Sequence, residues 1–260
     1  MSASIIYSSE KAVDSPRPQK VPLTRPVHWL RLGWTDLVRH WPASLALGAV
    51  FALAGHLLVN HAWAYSHVGM ALTTGFLLLA PFLAVGFYDL SRRDERIARG
   101  ETAEPFQGLR RNAASVGLFA LLLAFILSVW ERLSALIVGL FFSAGVNMTG
   151  EFSLLALWSA GDPSFMVAYL SFGLALAGLT FALAVVSVPM LIDREVDVIS
   201  AMLTSLRVVR ENPGAMLLWA LVIVGLSGFG MATAFVGLAV LFPLLGHASW
   251  HAYRDLVTRD

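Results

Sequence analysis

The chain has 260 residues, of which 13% are charged and 57% hydrophobic, with a mean hydropathy of +0.71 and a formal net charge of +1. Soluble domains carry roughly 25% charged residues, so this composition excludes an ordinary water-soluble globule and leaves apolar runs able to cross a bilayer core of about 30 Å. The absence of cysteine excludes disulfides, thiolate metal sites and cysteine nucleophiles.

Residues 1–26 hold Pro16, Pro18, Pro22 and Pro26 among charges, and no apolar core follows a basic start. They read as a disordered cytoplasmic tail rather than a signal peptide, ahead of a single membrane domain over 27–260. A short amphipathic stretch then ends in Leu37-Val38-Arg39-His40-Trp41-Pro42-Ala43 and opens onto a long apolar run. The pattern returns at Gly108-Leu109-Arg110-Arg111-Asn112-Ala113-Ala114 and at Val208-Val209-Arg210-Glu211-Asn212-Pro213-Gly214. After each copy comes a second apolar run with a proline and then an arginine: Pro81 and Arg92, Pro189 and Arg194, Pro243 and Arg254. A repeat of this kind sets the whole fold. The expected fold class is all-α: a polytopic membrane protein of six transmembrane helices, built as three parallel repeats of an amphipathic helix plus a helical hairpin. The units run over about 27–92, 104–194 and 195–256.

The six spans are expected at about 42–60, 67–90, 113–131, 164–190, 214–229 and 231–252, the last two joined through Gly228-Phe229-Gly230. Of the 18 lysines and arginines, 17 lie in the N-terminal tail, the 91–112 loop, the 191–212 segment or the C-terminal end, and the remaining one is Arg132. The positive-inside rule then puts both termini of this multi-pass protein in the cytoplasm. The stretch before each odd-numbered span reads as a basic amphipathic helix in the headgroup plane, or as a docking surface for a soluble partner. In 196–210 the large apolar residues Val198, Ile199, Met202, Leu203, Leu206 and Val209 fall near one face, opposite Arg207 and Arg210. The middle unit carries an apolar insertion over 132–163, expected as two short helices on the outer face.

Few residues in this pattern could carry chemistry. Glu131 and Arg132 stand about 28 Å along a helix from Asn112, at the outer boundary. There they act as an interfacial anchor beside Trp130, or with Glu151 as a docking or ion site. His247 and His251 share a helix face and could ligate a metal or haem together with His40, but rings at a membrane boundary need no ligand to explain them. Pro81, Pro189 and Pro243 each free a carbonyl one turn earlier, those of Leu77, Val185 and Ala239, and read as packing kinks or as hinges. No phosphate loop, zinc-helix motif, serine triad or mid-membrane carboxylate is present.

Several elements resemble a bacterial family of predicted integral membrane proteins of unknown function. They are Asp197 to Met202, Arg210-Glu211-Asn212-Pro213, Pro243-Leu244-Leu245-Gly246-His247-Ala248-Ser249-Trp250-His251, Phe82 to Tyr88 and Trp130-Glu131-Arg132. The resemblance spans about 27–257 and implies residence in a bacterial inner membrane but no activity. The expected role is a non-catalytic accessory, scaffold or assembly factor, with no cofactor and no metal. Its partners are the lipid bilayer and another membrane protein or complex, not nucleic acid. The alternatives are a small-molecule transporter or channel with a cavity between the hairpins, and a haem- or metal-binding redox protein.

Overall fold

The computed structural model describes residues 17–62, 80–141 and 163–258. Among them it is all-helical, apart from one antiparallel bridge between Pro18 and Val257. In chain order the helices are α1 (Arg25–Arg39), α2 (Trp41–Ala62), α3 (Ala80–Leu83), α4 (Val85–Ala98), α5 (Gln107–Arg111), α6 (Ala113–Phe141), α7 (Pro163–Ala184), α8 (Ser187–Asp193), α9 (Val198–Glu211), α10 (Pro213–Ala232) and α11 (Leu238–Leu256).

The three copies of the sequence motif mark three similar breaks. His40, Asn112 and Asn212 each leave the helix with φ between −126° and −111° and ψ between 30° and 48°. At each break the backbone N–H donates four residues back, to Asp36, Gly108 and Val208. The carbonyl then accepts from four residues on, from Ser44, Val116 and Met216, so the next helix starts at once. The motif is displaced by one residue in its first copy. There the break falls at His40, before Trp41-Pro42, whereas the later two fall on asparagine. Proline at a second helical position is as tolerable as at the first, because neither N–H has a partner inside the helix.

Among the described residues four helical stretches are long and apolar enough to cross a membrane: Trp41–Leu58, Ala113–Phe141, Pro163–Asp193 (α7 with α8) and Pro213–Ala232. They agree with the first, third, fourth and fifth expected spans. Most of the second expected span, 67–79, lies outside the described residues, as does Glu151. The sixth corresponds to α11, whose second half, Gly246 to Leu256, is polar and packed inside the protein.

Three boundaries differ from expectation. Residues 17–24 are not a free tail: Gln19 N–H donates to the Leu256 carbonyl at 2.8 Å, Thr258 N–H to Arg17 at 3.1 Å, and Val21 N–H to Asn212 Oδ1 at 2.9 Å. The chain beyond α11 exposes a backbone edge, and this segment pairs with it. The third span does not stop at 131, because α6 continues without a break to Phe141, taking in the first part of the expected insertion. Residues 142–162 of that insertion lie outside the described residues. The turn between α10 and α11 is not at Gly228-Phe229-Gly230 but at 233–237, where Ala234 and Phe235 take positive φ of 52° and 70°. Helical hydrogen bonding overrides the turn preference of glycine in an apolar setting, where backbone groups find no water. Thr233 closes the actual turn, its hydroxyl accepting from Gly237 N–H and donating to the Gly230 carbonyl, both at 2.8 Å.

Helix α11 is the hub. Its Phe242 stacks on Phe51 of α2 at 3.6 Å between ring centroids and meets Phe87 of α4 edge-on at 5.5 Å. Gly33 lets α1 lie directly on α11, since a Cβ there would sit 2.7 Å from the Ala248 nitrogen. Gly48 of α2 packs on the Ala239 carbonyl, the group that Pro243 leaves without its helical donor. The proline and the glycine therefore work together, one freeing an oxygen and the other admitting a backbone to it. Helix α9 has the apolar outer face expected of a helix lying in the headgroup plane. It buries its small residues Ala201, Thr204, Ser205 and Val208 on the protein and turns Ile199, Leu203 and Leu206 outward.

Candidate functional site

The basic side of the bundle gathers the polar residues into one junction, made by α1, the start of α2, the end of α4, α8 and α11. Its centre is Asp36, 7% exposed. His251 Nε2 donates to Asp36 Oδ2 at 2.8 Å, and the Ser91 hydroxyl donates to the same oxygen at 2.6 Å. Ser91 also lies 2.7 Å from His247 Nδ1, and His247 Nε2 lies 3.0 Å from the Ser44 hydroxyl. The proton positions follow from this chain. Ser91 has one proton, and an ionised Asp36 takes it. His247 must therefore donate from Nδ1 to Ser91, while its Nε2 shares a hydrogen bond with the Ser44 hydroxyl. Burial pushes the Asp36 carboxyl up, but the bonds from His251 and Ser91 outweigh it and hold the group below the ordinary carboxylate range.

A second cluster lies alongside, where the proline-to-arginine spacing of the three units delivers its arginines. Arg92 Nε is 3.7 Å from Asp193 Oδ1, and Arg254 Nη1 donates to Asp193 Oδ2 at 2.8 Å. The Tyr253 hydroxyl donates to the same oxygen at 2.8 Å and lies 3.1 Å from Arg194 Nε, which donates to it. Glu95 accepts from Trp250 Nε1 at 3.0 Å and pairs with Arg254 Nε at 3.0 Å. Arg92 is 2% exposed, and burial lowers its guanidinium below the ordinary range, with Asp193 and Asp89 offsetting only part of that cost.

Each break residue is tied to a segment distant in the chain. His40 Nε2 is 2.8 Å from Asp94, just past α4's buried arginine. Asn112 Nδ2 points at the carbonyls of Leu191, Arg194 and Val196, at the end of α8. Asn212 Nδ2 donates to Gln19, which is itself bound to the end of α11.

The sequence-derived candidates divide between the two ends. His247 and His251 are joined by the junction, each holding a carboxylate or hydroxyl. Among the described residues no group of three or more histidines and acids has metal-binding geometry. Glu131 and Arg132 lie on α6 beside a separate cluster of Trp130, Ile137, Phe165 and Tyr169, in which the Ser134 hydroxyl donates to Tyr169 at 2.9 Å. Arg132 is exposed, on the same stripe as Leu121, Phe125, Leu136 and Leu140. Pro81 sits in α3, one turn from the break at Ala84, and Pro189 follows the break at 185–186 that its missing N–H favours. Pro243 lies inside α11 without ending it. Asp36, Ser44, Ser91, Asp94 and Asp193 were missed as candidates. Their signal was position: Asp36, Ser44 and Asp94 lie within four residues of a motif copy or a repeated arginine, and Ser91 and Asp193 adjoin such an arginine.

Residues 69–193 match the family model described as "Predicted integral membrane protein (DUF2189)". The match, somewhat under half of the chain, takes in Phe82 to Tyr88, Trp130-Glu131-Arg132 and Pro189, and leaves the Pro243 to His251 motif outside it. The expected resemblance to predicted integral membrane proteins of unknown function therefore holds over this stretch, and with its apolar helices the chain is an integral membrane protein. No curated protein and no solved structure matches the chain.

Proposed function

We propose that this is a non-catalytic accessory or scaffold protein of a bacterial inner membrane. Its six spans form three parallel repeats, and both termini are cytoplasmic. One observation carries the reading. Most of the charged and hydrogen-bonding side chains of the junction are paired with one another, while Trp29, Phe51, Phe87, Met190, Trp219 and Trp250 pack between the helices. A transporter keeps polar groups facing a water-filled path at the midplane. Here the polar groups work as fasteners between the units. The outward faces are correspondingly free for lipid or protein: Leu118, Leu121 and Phe125 on α6 and Leu217, Leu221 and Val224 on α10 are each more than half exposed. The similar breaks at His40, Asn112 and Asn212 support the repeats, and the segregation of basic residues supports the topology.

Mild-detergent extraction from native membranes, followed by size analysis and mass spectrometry of what co-elutes, tests the role. A stoichiometric membrane partner is the expected result. A lone chain that gives solute flux in proteoliposomes would replace the scaffold with a transporter.

A further inference from the structure

One cavity, of about 200 Å³, opens where the first turns of α1 meet the ends of α4 and α11. It takes about six waters at roughly 30 Å³ each, which is room for one compact polar group. On α1, Arg25, His28 and Leu32 line it at helical spacing, with Trp29 behind; α11 adds His251, Arg254 and Asp255 one turn apart, and α4 adds Glu95.

The two carboxylates of this wall are already committed. Asp255 accepts from Arg25 Nε and Nη2 and from Trp29 Nε1, which leaves neither oxygen unbonded. Glu95 is held by Trp250 and Arg254. Arg25 and Arg254 thus neutralise the acids of the wall. The groups with capacity to spare are donors. Arg25 keeps Nη1 and Arg254 keeps Nη2 outside the bonds just named, and His28 makes no hydrogen bond among the described residues; His251, whose Nε2 donates to Asp36, adds Nδ1 as a donor only when its ring is protonated. Two imidazoles beside two guanidinium groups, over a floor of Trp29 and Leu32, suit a small oxyanion rather than a cation.

We propose that this cavity holds a phosphate group, either free or as the headgroup of a lipid. The lipid source rests on the topology proposed above, which puts α1 and the end of α11 at cytoplasmic headgroup level. Free phosphate needs no topology.

The test uses the full chain in a maltoside detergent free of phosphate. Thermal unfolding is followed with inorganic phosphate, with dioctanoyl phosphatidic acid, and with dioctanoylglycerol and sodium chloride of matched ionic strength as controls. The midpoint should rise by about 3 °C with at least one phosphate probe and with neither control. His28→Ala, an exposed change, should leave the unliganded midpoint in place and weaken the response roughly tenfold, the worth of one charge-assisted hydrogen bond. Leu32→Trp, which fills the floor, should do the same. A response to phosphatidic acid alone assigns a headgroup site, and a response to inorganic phosphate assigns a free anion. No response to either, or one that both variants retain in full, overturns the proposal. Neither result depends on whether a protein partner co-purifies.

Discussion

The two ends of the bundle are held by different forces. At the basic-side junction, α1 is strapped to its neighbours by carboxylates at three levels: Asp255 on Arg25 and Trp29, Asp36 on His251 and Ser91, and Asp94 on Arg39 and His40. At the α6–α7 end, packing is mainly aromatic, with Trp130 on Tyr169 at 5.0 Å and Phe141 on Phe165 at 5.8 Å, alongside the Ser134–Tyr169 hydrogen bond. Directional bonds admit one register and fail abruptly when a partner is lost. Ring contacts tolerate sliding and lose little at a time. The junction therefore fixes how the units sit together, and the far end follows.

Asp36→Ala should break this contrast most severely. It leaves His251 and Ser91 without their acceptor in a buried site, and a loss of about 3 kcal/mol is expected, read by chemical or thermal unfolding in detergent. Acid should remove part of the same support. Asp36 and Asp255 are both held below the ordinary carboxylate range, so their contribution is complete above about pH 4 and is lost as pH falls through their lowered values. Hydrogen exchange should then show α1 opening in acid before the α6–α7 pair, and simultaneous opening would contradict the strap. Gly33→Ala forces a methyl against the Ala248 backbone and should cost about 2 kcal/mol, with α1 again the first helix to open. Tyr169→Phe at the other end removes one hydroxyl bond and keeps the ring. A loss near 0.6 kcal/mol is expected, as for membrane hydrogen bonds generally; a loss matching that of Asp36→Ala would erase the distinction between the ends.

Much of this organisation was legible in the residues. The motif copies located three helix breaks to within one residue, since proline and asparagine restrict the backbone wherever they stand. The order of proline then arginine marked Arg92, Arg194 and Arg254 as a recurring feature, but not as members of one cluster. The glycines at 228 and 230 misled, because local turn preference yields to hydrogen bonding in an apolar segment. The outward apolar stripe of α9 was legible from its periodicity, whereas the opposite face of Ala201, Thr204 and Ser205, which packs on the protein, carried no hydropathy signal.

By itself, the sequence determined that this chain enters a membrane, where its helices break, and on which side its charge collects, because hydropathy, proline and charge act locally or along one axis. Only the tertiary structure decided which acid meets which base. Asp36 and His251 are 215 residues apart, and Arg25 and Asp255 are 230. No local preference joins residues at that separation. They meet because Gly33 admits α11 against α1, and that contact is a property of packed helices rather than of either segment.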